Sequence, residues 1–443
     1  MSIIYMAEKP SQARELAKAI GVVSNGSGYI QVKDGFVVQA RGHLFEQAQP
    51  QDYNEAWGGR WSFDVLPMVP EIWKRMLVKA KSAQLKVIKD LLKKASLVVI
   101  ATDAGREGEL IAREILEHCR YRGPIKRLWT SSLVQEDFKR GLADLWPGAK
   151  TEPLYEAAVA RAHADWLYGI NGSRAVTLAA NSRGTVYPVG RVQTPTLAMV
   201  VRREWEIRNF VPVAYYELDA EVQSAGGHKF KMTHAPAEKD RIKDKEEANR
   251  RKAIAEGAQG PLEVKTEAKK ESPPLPYTLP ALQTDANRIF KFSARRTLEL
   301  AQELYEAKAT TYPRTDCAYL ASSQKQEVPA IVTRLEKVYP ETIASFKKHG
   351  PVLRDSTFND EKLTDHHAIC PTSEEVSLTP DQEKIFSLVV QRYLRALSAD
   401  CLFNSTSVVL NANGVPFKAT GKQITDPGFR SVSIIADSED KEA

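Results

Sequence analysis

Apolar and polar positions alternate in two different grammars along this chain. Ser2 to Ala7 is apolar enough for a buried strand, Glu8-Lys9-Pro10-Ser11 breaks it as a turn, and Ser11 is the expected cap of a helix over about Gln12 to Ile20. The pattern returns at Leu97-Val98-Val99-Ile100-Ala101, a β-rich run followed by Thr102-Asp103-Ala104-Gly105-Arg106-Glu107-Gly108-Glu109 and a helix through about Cys119. A third strand over Lys126 to Trp129 is expected to lead through Thr130-Ser131-Ser132 into another capped helix. Strands alternating with helices predict a mostly parallel sheet, whose ligands gather at the carboxyl ends of its strands. Glu8 and the Asp103 turn both fall there.

The second grammar is helical. Glu152 to Phe210 reads as helix, broken near Asn181-Ser182-Arg183-Gly184 and at Pro188-Val189-Gly190-Arg191, and short alternating strands follow Pro212. The charged stretch Glu238 to Arg251 reads as a solvated helix or loop. Pro273-Pro274-Leu275-Pro276 marks a boundary, after which amphipathic helices are predicted over about Leu279 to Phe290 and Ala294 to Ala307. In the second of these, Leu298, Ala301, Leu304 and Tyr305 share a face and Ser293 is the cap. A further helix over Pro380 to Ala399 precedes strands near Ser405 to Leu410 and Phe417 to Gly421.

Composition narrows the class. With 443 residues, 43% hydrophobic and 27% charged, the chain reads as a soluble globular protein of roughly three domains. A net charge of +6 suits a polyanionic partner without demanding one. Cys119, Cys317, Cys370 and Cys401 lie far apart and form no Cys-x-x-Cys pair, which argues against a zinc ribbon or a disulfide framework and favours a reducing cytoplasm. No signal peptide and no apolar run of membrane-spanning length is visible. Gly421-Lys422 lacks the rest of a Walker loop, so ATP is not an expected cofactor.

Four constellations carry candidate chemistry. Glu8, Asp103, Glu107 and the nearby Glu109 are hard carboxylates at strand ends, without His or Cys, a set that suits magnesium. Singly, each could equally be a helix cap or a solvated group. In Thr311-Tyr312-Pro313-Arg314-Thr315-Asp316, proline holds Tyr312 extended, which turns Tyr312 and Arg314 to the same side. A phenol is a poor nucleophile at neutral pH, and a guanidinium beside it eases ionisation and grips a phosphate. An ordinary surface loop is the plainer alternative. Asp365-His366-His367-Ala368-Ile369-Cys370-Pro371-Thr372 offers an imidazole that can donate a hydrogen bond or move a proton, or simply a capped turn. Val189-Gly190-Arg191-Val192-Gln193-Thr194-Pro195-Thr196 sets backbone-binding donors at a helix entry.

Taken together these runs resemble the type IA DNA topoisomerases, and most closely their topoisomerase III branch. The likeness is ordered and spans most of the chain: Ala7 to Ser11, Thr102 to Glu109, Ala164-Asp165-Trp166-Leu167 with Asn171-Gly172-Ser173-Arg174, Gly190 to Thr196, Thr311 to Asp316, and His366 to Thr372. The resemblance implies a Toprim α/β domain over residues 1–152, followed by the multidomain toroidal core of the family. Helical single-strand DNA-binding material is expected over 153–212, a β-rich gate domain over 213–275, a helical domain carrying the tyrosine over 276–372, and a return to the gate over 373–443.

It implies a mechanism as well. Tyr312 would join the 5′ phosphate of cut single-stranded DNA, and strand passage and rejoining would relax negative supercoils or decatenate DNA without ATP. Arg314 would bind the scissile phosphate, Glu8 would serve proton transfer, Lys9 would add positive charge, and His366 would support catalysis. Glu8, Asp103 and Glu107 would hold magnesium, while Arg174, Arg191, Gln193, Thr194, Thr311 and Asp316 would contact or support the DNA. Two departures qualify this. Gly105 stands where the family carries a second aspartate, which predicts one magnesium ion rather than two. The chain also ends at Ala443, before helices that normally complete the core, so a truncated enzyme is expected, or alternatively a truncated single-strand DNA-binding remnant with cleavage but impaired or absent strand passage. No zinc module or membrane is implied, and protein partners, including a second chain that would complete the core, are left open.

Overall fold

The computed structural model describes residues 2–130, 135–182, 184–235 and 241–435. They form two units. The first comprises Met1–Glu206, Arg314–Glu327 and Phe358–Ala368, and the second Ile207–Pro313, Val328–Thr357 and Ile369–Ala443.

The first unit is built on a seven-stranded sheet. Its strands are β1 (Ser2–Ala7), β2 (Val22–Gly26), β3 (Tyr29–Val32), β4 (Gly35–Gln39), β7 (Ala95–Ile100), β8 (Ile125–Arg127) and β9 (Trp146–Pro147), while β5 (Phe45–Gln47) and β6 (Arg75–Leu77) form a separate two-stranded ribbon. The order is β2-β3-β4-β1-β7-β8-β9. The centre, β4-β1-β7-β8, is parallel, and the flanking pairs are antiparallel. The expected parallel sheet is therefore present with antiparallel edges.

Period-two alternation along β1 sends side chains to opposite faces. Ile4 and Met6 join Val98, Ile100, Leu85, Ile88, Ile111 and Ile115 under the helices Ser82–Leu92 and Arg106–His118. Tyr5 and Ala7 join Val37, Val99, Ala13, Leu16 and Phe138 under Pro10–Ile20 and Gln135–Ala143. A sheet buried on both faces needs strands apolar throughout, which is why β1 and β7 read as continuous apolar runs.

The first helix begins at Pro10 rather than behind a Ser11 cap: its N-cap is Lys9, which makes no side-chain capping bond. Proline in the first turn has φ already set and no N–H to satisfy, so a capping hydroxyl is dispensable. The Ser131-Ser132 cap lies outside the described residues. The helical stretch resolves into Glu152–Ala179 and Gln193–Arg208.

The second unit carries a five-stranded antiparallel sheet of order β10-β11-β14-β13-β12, with β10 (Asp219–Gln223), β11 (Lys229–His234), β12 (Leu262–Glu271), β13 (Cys401–Ala412) and β14 (Val415–Asp426). The last two are longer than predicted and are joined by Asn413-Gly414, both at positive φ, the geometry a tight two-residue hairpin requires. Helices at Leu279–Phe290, Ala294–Glu306 and Pro380–Ala396 match the predicted spans to within a few residues. Part of the charged stretch is the helix Lys245–Ala255, mostly exposed but with Ala248 buried. Among the described residues no helix is long and apolar enough to cross a membrane.

Candidate active site

In the first unit, the ends of β1 and β7 deliver the first acids. Glu8 follows β1 directly and is buried, 9% exposed; its carboxyl has a hydrogen bond from the Asp103 backbone, while Oε2 makes none among the described residues. Burial, with the Asp103 charge close by, pushes its carboxyl above the usual range. Lys9 Nζ lies 2.6 Å from Asp103 Oδ2 and 3.7 Å from Glu8 Oε1. Gln12 Nε2 donates to Asp103 Oδ1 at 3.2 Å. Asp103 is also mostly buried, which alone would raise it, yet the His366 hydrogen bond and the Lys9 charge hold it far below the ordinary carboxylate range. His366 Nε2 stands 3.3 Å from Asp103 Oδ2. Folding thus gathers Glu8, Lys9, Asp103 and His366 from three distant stretches of sequence.

The turn carrying Asp103 is held from beneath by Arg127 on β8. Its guanidinium is fully buried, donates to the carbonyls of Ile100, Thr102, Asp103 and Leu128 at 2.6 to 3.2 Å, and pairs with Glu109 at 2.6 Å. Glu109 also accepts from Arg113 Nε at 2.9 Å and is wholly buried. It belongs to the support of the turn, not to its solvent face. Glu107 points elsewhere, 2.5 Å from His43 Nε2, which lowers its pKa and raises that of His43 to about 9 through that bond and a second one to Glu114.

Gly105 has extended backbone, φ −168° and ψ 179°, which any residue adopts. A Cβ there would fall 2.6 Å from Oδ2 of Asp365, with the rest of that carboxyl group closer still, so the Asp365 side chain would have to swing aside to admit one. Asp316 accepts from Thr364 Oγ1 at 3.1 Å, and Arg314 is exposed with no hydrogen bond or ion pair among the described residues.

Tyr312 belongs to the second unit and Arg314 to the first, so the chain crosses between units inside this motif. Tyr312 is half-buried, its ring edge-on to Tyr305 with centroids 5.3 Å apart. Thr311 bonds to Cys370 through both backbone and hydroxyl, N to O and N to Oγ1, each at 3.0 Å. The tyrosine segment is thereby fastened to the second half of the His366 motif.

The remaining predicted contacts lie on the helical part of the first unit. Arg174 is buried, donates to the Trp57 carbonyl at 2.7 Å and stacks over Trp61. Arg191 is exposed and forked onto Asp165 at 2.6 and 3.2 Å. Gln193 is exposed, and Thr194 Oγ1 accepts from Gly190 N at 3.0 Å. Sequence reasoning missed Gln12, His43, Arg127 and Asp365. Only the i, i+4 spacing from Glu8 to Gln12 gave a local signal; the others arrive by tertiary packing.

The acids at the strand ends are hard oxygen donors, of a kind that suits a hard cation. Among the described residues no three His, Cys, Asp or Glu side chains already converge as a metal site. Lys9, Gln12 and His366 occupy Asp103 while His43 occupies Glu107. Magnesium fits such a place by keeping most of its water and taking one or two carboxylates.

A Toprim domain family matches residues 3–133 and a DNA topoisomerase family matches residues 149–443. The chain therefore belongs to the DNA topoisomerase family, on its type IA side, as the ordered motifs implied. The DNA topoisomerase 3 of Bacillus subtilis (strain 168) is 38% identical over 450 residues, covering 99% of this chain and 60% of its own length. That of Shouchella clausii (strain KSM-K16) is 38% identical over 440 residues, covering 96% and 59%. The chain thus spans about 60% of the length of such relatives. The full-length topoisomerase I of Thermotoga maritima shares the fold at a TM-score of 0.65 and 22% identity, over 98% of this chain and 68% of that one.

Proposed function

We propose that this chain cleaves and rejoins single-stranded DNA without ATP, using Tyr312 as nucleophile, and passes a strand through the break to relax negative supercoils or decatenate DNA. The Tyr312 oxygen forms a bond to a backbone phosphorus and the bond from phosphorus to the 3′ oxygen breaks. The phenol loses a proton, the 3′ oxygen gains one, and a 5′-phosphotyrosine and a 3′ hydroxyl result. Resealing runs the same steps backward, so the energy of the broken link is never lost. Cytoplasmic DNA is the expected substrate.

The observation that carries this reading is Glu8, a buried carboxyl with an orphaned oxygen, pushed toward its neutral form beside Lys9, Asp103 and His366. A carboxyl with a raised pKa is suited to give a proton to a leaving oxygen and take it back on resealing. Lys9 and the uncommitted Arg314 supply charge for the phosphate. His366 orients Asp103 and donates a hydrogen bond. Arg191, Gln193 and Thr194 line the path of the strand, with Arg174, Thr311 and Asp316 supporting it. Of the acids assigned to a single magnesium ion, Glu8 and Asp103 would hold it with most of its water retained, Glu107 being engaged by His43, and the ion would supply further positive charge to the phosphate.

The test is incubation with labelled single-stranded oligonucleotide and magnesium, followed by denaturation. Protein-linked DNA is expected from the native chain and none from Tyr312→Phe. An undiminished adduct in that variant rejects the assignment, and binding of the strand with no adduct favours a single-strand-binding role instead.

A further inference from the structure

We propose that an arginine-lined cavity of the second unit binds a phosphate group, carried either by a nucleic-acid backbone or by a small free phosphate. None of its lining residues belongs to the tyrosine, histidine or acid motifs, so the proposal stands apart from cleavage by Tyr312.

The cavity measures about 350 Å³ and lies wholly within that unit. Arg288 stands on the helix Leu279–Phe290, Arg392 and Arg395 on the helix Pro380–Ala396, and Arg430 in the short turn Gly428–Ser431. A spacing of three residues puts Arg392 and Arg395 on one side of their helix. Two carboxylates line the cavity with these four guanidiniums, Glu271 at the end of β12 and Asp285. Both are already engaged: Glu271 accepts from Arg430 at 2.8 Å and Lys422 at 2.9 Å, and Asp285 from the Tyr277 hydroxyl at 2.6 Å and Arg288 at 3.3 Å.

Arg392 is the guanidinium that this arrangement leaves with donors to spare. Its Nε donates to the Leu275 carbonyl at 2.7 Å, its cation lies over the Tyr277 ring 4.9 Å from the centroid, and among the described residues it makes no ion pair. The carbonyl and the ring fix the plane of the fork, which presets the direction of its remaining N–H groups. A half-buried charge without a counter-ion is costly, and an anion entering the cavity relieves that cost. Arg395, whose Nε donates to the Val432 carbonyl at 2.8 Å, brings a second fork to the same wall. Guanidiniums that approach from different elements suit phosphate, which offers oxygens on several sides, better than a planar carboxylate. A phosphate held there would tie the helix Pro380–Ala396 to Arg430, just beyond the end of β14.

Two probes test this on the full chain: inorganic pyrophosphate by titration calorimetry, and a labelled single-stranded oligonucleotide by fluorescence anisotropy over a range of salt concentrations. Glutamine can still donate to the Leu275 carbonyl, so Arg392→Gln is expected to keep the native melting temperature; Arg395→Gln carries the test from the same helix face if it does not. Loss of one charge-assisted contact weakens binding by about 10-fold. Loss of one backbone-phosphate contact lowers the slope of log affinity against log salt by about 0.7. Arg250→Gln, on the exposed helix Lys245–Ala255, removes the same charge elsewhere and is expected to leave both readings native. A pyrophosphate affinity reduced about 10-fold in Arg392→Gln supports the site with free phosphate as its ligand. A reduced salt slope without pyrophosphate binding supports it with the DNA backbone as ligand, and both changes together mean that it accepts either. Failure of both probes to bind the native chain, native readings from the arginine variants, or an equal change in Arg250→Gln overturns the proposal.

Discussion

Arg127 and Glu109 are the residues on which the geometry of the acid turn most depends. Both are fully buried and paired at 2.6 Å, and Arg127 gathers four carbonyls that bracket Asp103. Breaking a buried ion pair from one side leaves an uncompensated charge and costs about 3–5 kcal/mol. Glu109→Gln is therefore expected to lower unfolding stability by that order in denaturant titrations, and a loss below about 1 kcal/mol would mean that solvent reaches the pair. In the sequence Glu109 looked like one more acid beside Asp103 and Glu107. Its partner Arg127 sits one strand away, and nothing in the local string marks the pair as buried. Glu8, Lys9 and Asp103 were legible because each ends a recognisable apolar strand. Asp365 was not, because its relation to Gly105 exists only after folding.

Elements were legible where period and cap agreed. The helix Ala294–Glu306 leads toward Tyr312, and Ser293 Oγ accepts from Arg296 N at 3.1 Å as its cap. Ser293→Ala removes that acceptor, with an expected cost of about 0.5–2 kcal/mol in chemical denaturation and near-native stability for Ser293→Asp. Equal losses in both variants would mean the hydroxyl is not capping. At Ser11 the same logic failed because Pro10 had already satisfied the helix start. The strand at Ser405 came out short because the polar run Asn404 to Ser407 separates the apolar Cys401-Leu402-Phe403 from the later apolar positions, and the strand at Phe417 because Lys422-Gln423 masks the alternation. The intervening Asn413-Gly414 hairpin, which fixes their register, was a stronger local signal than the alternation itself.

At the scale of the whole molecule, both reactive motifs straddle the division of the chain. Thr311-Tyr312-Pro313 belongs to one unit and Arg314-Thr315-Asp316 to the other, and the His366 motif divides likewise between Ala368 and Ile369. A linear reading assigns each motif to a single stretch and has no means of seeing this. Within the second unit, Glu271 ends β12 and accepts from Lys422 on β14 at 2.9 Å and from Arg430 at 2.8 and 3.1 Å. Partial burial opposes its ionisation, but these partners hold its pKa below the ordinary glutamate value. A depressed carboxylate stabilises above its unfolded pKa, about 4.3, and that contribution fades as pH falls through the lower folded value. All three side chains are about one-third exposed, so screening limits the effect to under about 1 kcal/mol. Native protein and Glu271→Gln are expected to differ in urea midpoint at pH 7 and to converge near pH 3; a constant gap would assign the difference to packing.

The central claim is that Tyr312 becomes joined to the 5′ phosphate of a cut strand. The most direct measurement traps the reaction by denaturation, using oligonucleotide labelled at one end or the other, and maps the linked peptide by mass spectrometry. The account predicts that the 3′-end label travels with the protein, that the 5′-end label leaves on a free fragment, and that the mass increment falls on the peptide containing Tyr312. Protein carrying the 5′-end label, or DNA attached to any other residue, would contradict it.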